Sequence, residues 1–123
     1  NSQYPHYPSV IYTDPEIAIV GMDEQACTTR GLETVTGNYN FGSSGRAQTM
    51  GRLEGFVKVI AERSTKKIVG VGMVGQSVSE LIGGCSALMH NSATLSDLAS
   101  GGFPHPTLSE AIMEAARAAL DKT

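Results

Sequence analysis

The segment from Phe103 to Glu110 carries the residues best suited to chemistry in this chain of 123 residues. His105 lies between Pro104 and Pro106, and the two proline rings restrict the backbone that carries the imidazole. Glu110 follows five residues later. A carboxylate bound to one ring nitrogen fixes the tautomer of a histidine and leaves the other nitrogen free to accept a proton. The pattern is therefore compatible with an acid–base pair presented just before a helix.

The same residues also have a purely structural interpretation. Thr107 and Glu110 match the T-x-x-E capping box, with Thr107 as the N-cap and Glu110 at the third helical position. In that case Glu110 only closes the box, and His105 is a surface turn residue. A carboxylate has two oxygens, so the two roles are compatible, and spacing alone leaves both open.

A second motif, G-x-G-x-x-G, runs from Gly70 to Gly75 between a predicted strand and a predicted helix. Such a motif cradles a pyrophosphate when a parallel strand follows the helix. Here the helix leads into the polar residues 91–94, and the strand already has an antiparallel neighbour through the turn at 63–67. We therefore expect a glycine-interrupted strand packed against a helix and no dinucleotide site.

The two cysteines, Cys27 and Cys85, are too far apart in sequence for a C-x-x-C motif. In a reduced domain such residues usually behave as small buried hydrophobes, although a disulfide between them is an alternative. The chain has no cysteine–histidine cluster with zinc spacing, so no metal site is expected. His90 ends a predicted helix, where its side chain is a suitable partner for the helix dipole.

The elements around these residues follow from hydrophobic periodicity and turn signals. Residues 1–7 are expected to form a flexible N-terminal segment, and residues 8–123 are expected to form one domain. The order of the elements favours an α+β fold, in which helices pack on one face of an antiparallel sheet. The predicted strands are 8–13, 16–21, 32–41, 56–61 and 68–74. The predicted helices are 24–30, 77–90, 95–99 and 108–120, and residues 42–51 form a loop or a single helical turn.

Composition excludes several classes of protein. Apolar residues make up 41% of the chain and charged residues 17%, which supports one hydrophobic core and argues against disorder. A net charge of −3 does not favour a nucleic-acid partner. No apolar run is long enough to span a membrane, and the first twenty residues lack the pattern of a secretory signal.

Five stretches, taken together and in order, resemble the C-terminal interface domain of the dihydrolipoamide dehydrogenases, a branch of the flavoprotein disulfide reductase family. They are Pro8–Glu16, Ser44–Ala47, Gly55–Lys58, Gly70–Gly75 and His105–Glu110. The resemblance covers the chain from Tyr7 to Leu120 and implies a dimerisation domain. One departure is that Phe103 stands where the family usually has a second histidine, with Pro104 after it.

The resemblance also implies a function. Members of this family are homodimers that oxidise protein-bound dihydrolipoamide with FAD and NAD, and this domain gives a His–Glu pair to the active site of the partner subunit. By motif match, His105 is the general base and Glu110 orients it. Phe103, Pro104, His105 and Pro106 match the stretch that approaches the partner's flavin. The domain alone is expected to be inactive and to hold no cofactor.

The expected partners are a second copy, the FAD and NAD domains of the parent chain, and the lipoyl domain of a 2-oxo acid dehydrogenase complex. The expected location is the bacterial cytoplasm or the mitochondrial matrix. Two alternatives remain open from the sequence. One is the interface domain of another reductase, of the glutathione or mercuric type, and the other is a stand-alone, non-catalytic dimerisation module.

Overall fold

The computed structural model describes residues 7–41, 55–101 and 109–123. The elements found in these ranges are, in chain order, β1 (Ser9–Ile11), β2 (Glu16–Gly21), α1 (Glu24–Thr29), β3 (Thr34–Asn40), β4 (Phe56–Glu62), β5 (Ile68–Gly75), α2 (Val78–His90), α3 (Leu95–Ala99) and α4 (Glu110–Leu120).

The strands form one open antiparallel sheet in the order β1-β2-β5-β4-β3. A hairpin joins β4 to β5, as the sequence predicts, and its polar turn is closed by the Glu62 N–H donating to the Lys67 carbonyl at 2.9 Å. The central strand is β5, which pairs antiparallel with β2 on one side and with β4 on the other. The predicted α+β class is confirmed.

Three helices, α2, α3 and α4, cover one face of this sheet, here called the helical face. Strand alternation places Val20, Val59 and Met73 on that face, and each is nearly inaccessible to water. Ile82 from α2 and Ile112 from α4 pack into the same cluster. Burial of each such side chain contributes about 1.5–3 kcal/mol, so this layer holds most of the hydrophobic stabilisation.

Helix α4 lies unusually close to the edge strand β3, and Gly37 makes that approach possible. A Cβ atom at Gly37 would be 2.0 Å from the Ala115 carbonyl oxygen and 2.4 Å from the Ala119 nitrogen. Both alanines are fully buried. Small residues on each side of the contact therefore let the helix backbone rest almost directly on the strand.

The short helix α1 lies against the other face of the sheet, here called the open face. Its buried residue Cys27 packs in a separate small cluster with Ile60 and Val69. Asp23 caps the helix by accepting the Ala26 N–H at 2.7 Å. The arrangement of helices on one face thus holds for α2–α4, with α1 as an addition on the open face.

Several boundaries differ from the predicted ones by one or more residues. β1 is shorter than the predicted 8–13, because its pairing with β2 stops at Ile11 opposite Ile17. β3 covers Thr34–Asn40 and not 32–41, and the residues before it belong to the end of α1 and the turn after it. The segment predicted at 42–51 and most of the predicted flexible N-terminal segment lie outside the described residues.

Candidate functional site

Most of the predicted site falls in a stretch that the structure does not describe. Residues 102–108, which include Phe103, Pro104, His105, Pro106 and Thr107, lie outside the described ranges. The roles predicted for them therefore stay predictions. Glu110 is described, and the elements on both sides of the stretch show what holds its ends.

Glu110 is the first residue of α4 and is half-buried. The helix was predicted to begin at Leu108, with Glu110 at its third position, but the described helix begins two residues later. Ser109, the residue before it, has helical backbone angles, and its carbonyl accepts the Ile112 N–H at 3.1 Å, so a tighter turn precedes the regular helix. The carboxylate of Glu110 lies at the helix N-terminus, where the dipole favours negative charge.

The carboxylates of α4 influence Tyr39 of the neighbouring strand β3. Burial raises the pKa of the Tyr39 phenol, and the charges of Glu114 and Glu110 raise it further. The phenol therefore keeps its proton at neutral pH. Glu114 also forms an ion pair with Arg117 at 3.0 Å. Glu110 thus belongs to a group of polar side chains where α4 meets β3.

Both ends of the stretch that carries His105 are anchored. At its start, the Gly101 N–H donates to the Leu98 carbonyl at 3.4 Å, which ties the chain to the end of α3. At its far end, α4 rests on Gly37, and Arg117 Nε of α4 donates to the Ala99 carbonyl at 3.3 Å. These contacts fix the described residues on either side of the stretch that carries His105.

A groove of about 170 Å³ lies beside this region, between α2 and the start of α4. Ser109 and Ile112 line one side of the groove, and Leu81 and Gly84 of α2 line another. Leu88, also in its lining, is 40% exposed. The groove is mainly apolar and directly adjoins the residue before Glu110.

The outward surface of α2 continues from the groove and carries small and apolar residues beside the charged Glu80, which also lines the groove. Gly83, Gly84 and Ala87 are exposed, and a Cβ atom at either glycine would meet nothing within 4 Å. An amphipathic helix at 77–90 is predicted by the helical spacing of its apolar residues, which are Val78, Leu81, Ile82, Cys85, Leu88 and Met89. Of these, Leu88 faces outward. The periodicity of apolar residues does not identify this exposed surface of α2. The sequence does contain one indication of it, because α2 has more apolar residues than are needed to form a single buried face.

The two cysteines lie on opposite faces of the sheet and are free thiols, so the disulfide alternative is wrong. Burial raises the pKa of Cys85 to about 12. Burial also raises the pKa of Cys27, as do the nearby carboxylates of Asp23 and Glu24. Since the thiolate is the reactive form, both behave as the inert hydrophobes that the sequence predicts.

The G-x-G-x-x-G motif lies within β5, where Gly70 is opposite Gly21 of β2 and Ile60 of β4. A Cβ atom at Gly70 would be 1.9 Å from the Met22 carbonyl oxygen. The motif therefore lies within an antiparallel strand, as predicted, but the close contact at Gly70 is with the backbone of Met22 and not with a helix.

Among the described residues, no group of three or more His, Cys, Asp or Glu is placed to hold a metal ion. Within the same ranges, no helix has the length and apolar character needed to cross a bilayer.

Comparison with known proteins supports the resemblance in the sequence. The family described as "Pyridine nucleotide-disulphide oxidoreductase, dimerisation domain" matches residues 7–116. Dihydrolipoyl dehydrogenase 3 of Haloarcula marismortui is 45% identical over 119 residues, which are 97% of this chain and 25% of that protein. The mitochondrial dihydrolipoyl dehydrogenase of Dictyostelium discoideum is 40% identical over 97% of this chain and 24% of its own length.

Solved structures agree with the fold. The crystal structure of LpdA from Mycobacterium tuberculosis superposes with a TM-score of 0.84 at 32% identity, over 90% of this chain and 24% of that one. The HOCl-induced flavoprotein disulfide reductase RclA from Escherichia coli has a TM-score of 0.87 at 22% identity, over 92% of this chain and 26% of its own, which supports the fold alone.

This chain spans about a quarter of the length of the curated relatives that it matches. The family match covers most of its residues, and the open antiparallel sheet with its helices is the fold of the matched structures. The chain belongs to the dimerisation-domain family of the pyridine nucleotide-disulphide oxidoreductases.

Proposed function

We propose that this chain is the dimerisation domain of a homodimeric enzyme that oxidises protein-bound dihydrolipoamide with FAD and NAD. In this proposal His105 and Glu110 form the acid–base pair that each subunit offers to the active site of its partner. The main support is the set of relatives named dihydrolipoyl dehydrogenase, which are 40–45% identical over nearly the whole chain.

The position of Glu110 supports the assignment of the pair. It begins α4, five residues after His105, and α4 is held against β3 and α3 by the contacts of Gly37 and Arg117. Ser109, the residue next to Glu110, lines the groove beside the outward surface of α2. A site at this end of α4 therefore adjoins a surface suited to a second copy.

The chemistry proposed for the pair is proton transfer from sulfur to nitrogen. A free thiol has an ordinary pKa of about 8.5 and a free imidazole one of about 6.5, so an imidazole can usefully accept a thiol proton at neutral pH. The carboxylate of Glu110 orients the ring and stabilises the imidazolium that forms. The thiolate that remains attacks a disulfide in the rest of the parent polypeptide, so that the disulfide bond breaks, a mixed disulfide with the substrate forms and the second sulfur leaves as a thiolate.

FAD and NAD supply the electron-accepting chemistry in such an enzyme. The described residues do not fit either cofactor: the one glycine motif with the right spacing lies within β5, paired antiparallel on both sides, and a close backbone contact fills the space at Gly70. We therefore assign the cofactors to the rest of the parent polypeptide. The approach of Phe103, Pro104, His105 and Pro106 to the partner's flavin stays part of the proposal.

Substitution of His105 in the parent enzyme tests the proposal. We expect His105→Gln to lower turnover of dihydrolipoamide by roughly 10²–10⁴-fold, the usual contribution of general base catalysis, while the flavin absorbance stays unchanged. Glu110→Gln should cause a smaller loss. Glu114→Gln, one turn along the same helix, is the matched control and should retain turnover. Full activity of His105→Gln would remove this residue from the mechanism.

The substrate class needs its own assay. The parent enzyme should oxidise dihydrolipoamide with NAD and should reduce glutathione disulfide poorly. The reverse preference would identify the domain as part of another disulfide reductase, and Phe103, which replaces the usual histidine, is the first position to exchange in that case. The lipoyl carrier domain and a location in the bacterial cytoplasm or mitochondrial matrix follow from the proposed activity.

Self-association of the isolated chain tests the dimerisation role. The outward surface of α2 around Gly83, Gly84, Ala87 and Leu88 is the proposed contact, because small residues let two helices approach closely. Gel filtration with light scattering should show a dimer, and Ala87→Glu should convert it to a monomer without unfolding it. A strict monomer at high protein concentration would contradict this part of the proposal.

A further inference from the structure

The open face of the sheet carries apolar side chains where an antiparallel sheet facing water would carry polar ones. Ile11, Ile17, Val74 and Phe56 stand directly opposite one another in β1, β2, β5 and β4 and form a row across four strands. Ile19 lies beside this row. We call these five residues the open-face patch.

The patch is accessible despite its composition. Ile11 is 53% exposed, Ile19 44% and Phe56 36%, whereas Ile17 and Val74 are half-buried. One-sided antiparallel sheets usually alternate apolar and polar residues, because the outer face contacts water. Strand β2 instead has isoleucines on the open face and the buried Ala18 and Val20 on the helical face, which is the pattern of a strand covered on both sides.

The borders of the patch are polar. On the β3 side, the open face presents Asn38 and Asn40, both exposed, opposite Lys58 and Phe56. Towards α1, Lys58 pairs with Glu24 at 3.0 Å. An apolar patch rimmed by polar residues is typical of an interaction site and differs from scattered exposed hydrophobics.

We propose that the open-face patch is the surface on which this domain packs against another domain of its own polypeptide. This inference depends on the proposed function, in which the chain is one domain of a larger enzyme. The curated relatives are about four times as long as this chain, since it covers only 24–25% of them. A domain within such a protein needs a surface for its neighbours in addition to the one it uses for its dimer partner.

The geometry separates the two surfaces. The patch lies on the open face, whereas the groove and the outward side of α2 belong to the helical face on the opposite side of the sheet. If both surfaces bound copies of the chain, dimers would be linked into larger assemblies and not into a closed pair. Packing of the patch within one polypeptide leaves a closed dimer, which makes an intramolecular occupant the consistent choice.

Thiol labelling can show whether the open-face patch is covered by the same polypeptide or by a second copy of the chain. The two native cysteines are 0% and 3% exposed, so the folded domain contributes little background. Single variants Ile19→Cys and Phe56→Cys place a thiol on the patch, Ala87→Cys places one on the outward surface of α2, and Ser64→Cys in the exposed hairpin turn is the control. Each is labelled with a maleimide in the isolated chain and in the parent polypeptide, and the sites are resolved by peptide mass spectrometry.

In the isolated chain we expect Ile19→Cys and Phe56→Cys to react about as fast as Ser64→Cys. In the parent polypeptide they should react at least about tenfold more slowly, at a rate independent of protein concentration, because the cover belongs to the same molecule. Ala87→Cys should instead become protected as concentration rises. Ser64→Cys should react equally in both.

Two results would overturn the inference. The first is labelling of the patch in the parent polypeptide as fast as in the isolated chain. The second is protection that grows with concentration, which would assign the patch to a second copy. The labelling does not depend on turnover, so the acid–base role of His105 can fail while the patch is still protected, and the reverse outcome is equally distinguishable.

Discussion

The two faces of the sheet use the same strands for different purposes. On the helical face, side chains from three helices and the sheet interlock, and Val57, Val59 and Ala115 have no exposed surface. On the open face, one helix of six residues covers a corner through Cys27, and several isoleucines remain in contact with water. The helical face therefore carries the stability of the domain, and the open face is available for contacts outside this chain.

The largest expected difference between the faces comes from one pair of isoleucines. Ile82 of α2 is 2% exposed, whereas Ile19 of β2 is 44% exposed. Ile82→Ala leaves a cavity in the core and should lower the free energy of unfolding by roughly 2–5 kcal/mol. Ile19→Ala should cost under about 1 kcal/mol in the isolated chain. Urea denaturation of the two variants measures both values, and equal losses would show that the open face is as well packed as the helical one.

A pair of glycines gives the next largest contrast. Gly37→Ala places a Cβ atom against the backbone of α4 at Ala115 and Ala119, so the helix must move away from β3. We expect a loss of roughly 1–3 kcal/mol, the usual cost of overpacking. At Gly72, on the open face, a Cβ atom meets nothing within 4 Å, and Gly72→Ala should be neutral. If the thermal midpoint of Gly37→Ala stays unchanged, the contact between α4 and β3 is looser than described.

The sequence predicts the elements well where local signals agree. β2 has its predicted bounds because a β-branched run is bracketed by Pro15 and Gly21, and the hairpin of β4 and β5 follows from a short polar turn. The cap at Asp23 is likewise a local interaction. The start of α4 was missed by two residues because the turn before it closes through Ser109, and that hydrogen bond leaves no mark on the apolar periodicity.

What the sequence does not reveal is which side of an element is covered. Periodicity identifies α2 as amphipathic, yet it does not show that Leu88 faces outward while Met89 is buried. Periodicity also does not predict which face of the sheet α1 packs against, because Cys27 is the only buried residue among its six. For the site, Glu110 is placed at a helix start, and the pairing with His105 depends on the family resemblance and not on described geometry.

The N-terminal caps of α3 and α1 allow a further comparison of the two faces of the sheet, with smaller expected effects on stability. On the helical face, Thr94 and Asp97 of α3 form a reciprocal capping box, with the Thr94 N–H donating to the Asp97 carboxylate at 2.8 Å. On the open face, Asp23 caps α1. Thr94→Ala and Asp23→Ala should each lower the free energy of unfolding by about 1 kcal/mol. Hydrogen exchange should show the difference: loss of the α1 cap loosens only α1, whereas loss of the α3 cap also exposes the amides of α4, which packs against α3.

The smallest expected effect concerns the ion pair at the border of the open face. Glu24 accepts a hydrogen bond from Lys58 at 3.0 Å and another from Thr36 at 3.1 Å, and the Lys58 contact is the largest cause that lowers the Glu24 pKa. A carboxyl whose pKa is lower in the folded state stabilises the fold above its unfolded pKa, about 4.3, and loses this contribution as the pH falls through the folded value.

Because both side chains are partly exposed, Glu24→Gln should cost under about 1 kcal/mol at pH 7. The deficit should shrink below about pH 4 and in high salt. A deficit that persists unchanged at pH 3 would mean that the side chain acts through packing and not through its charge.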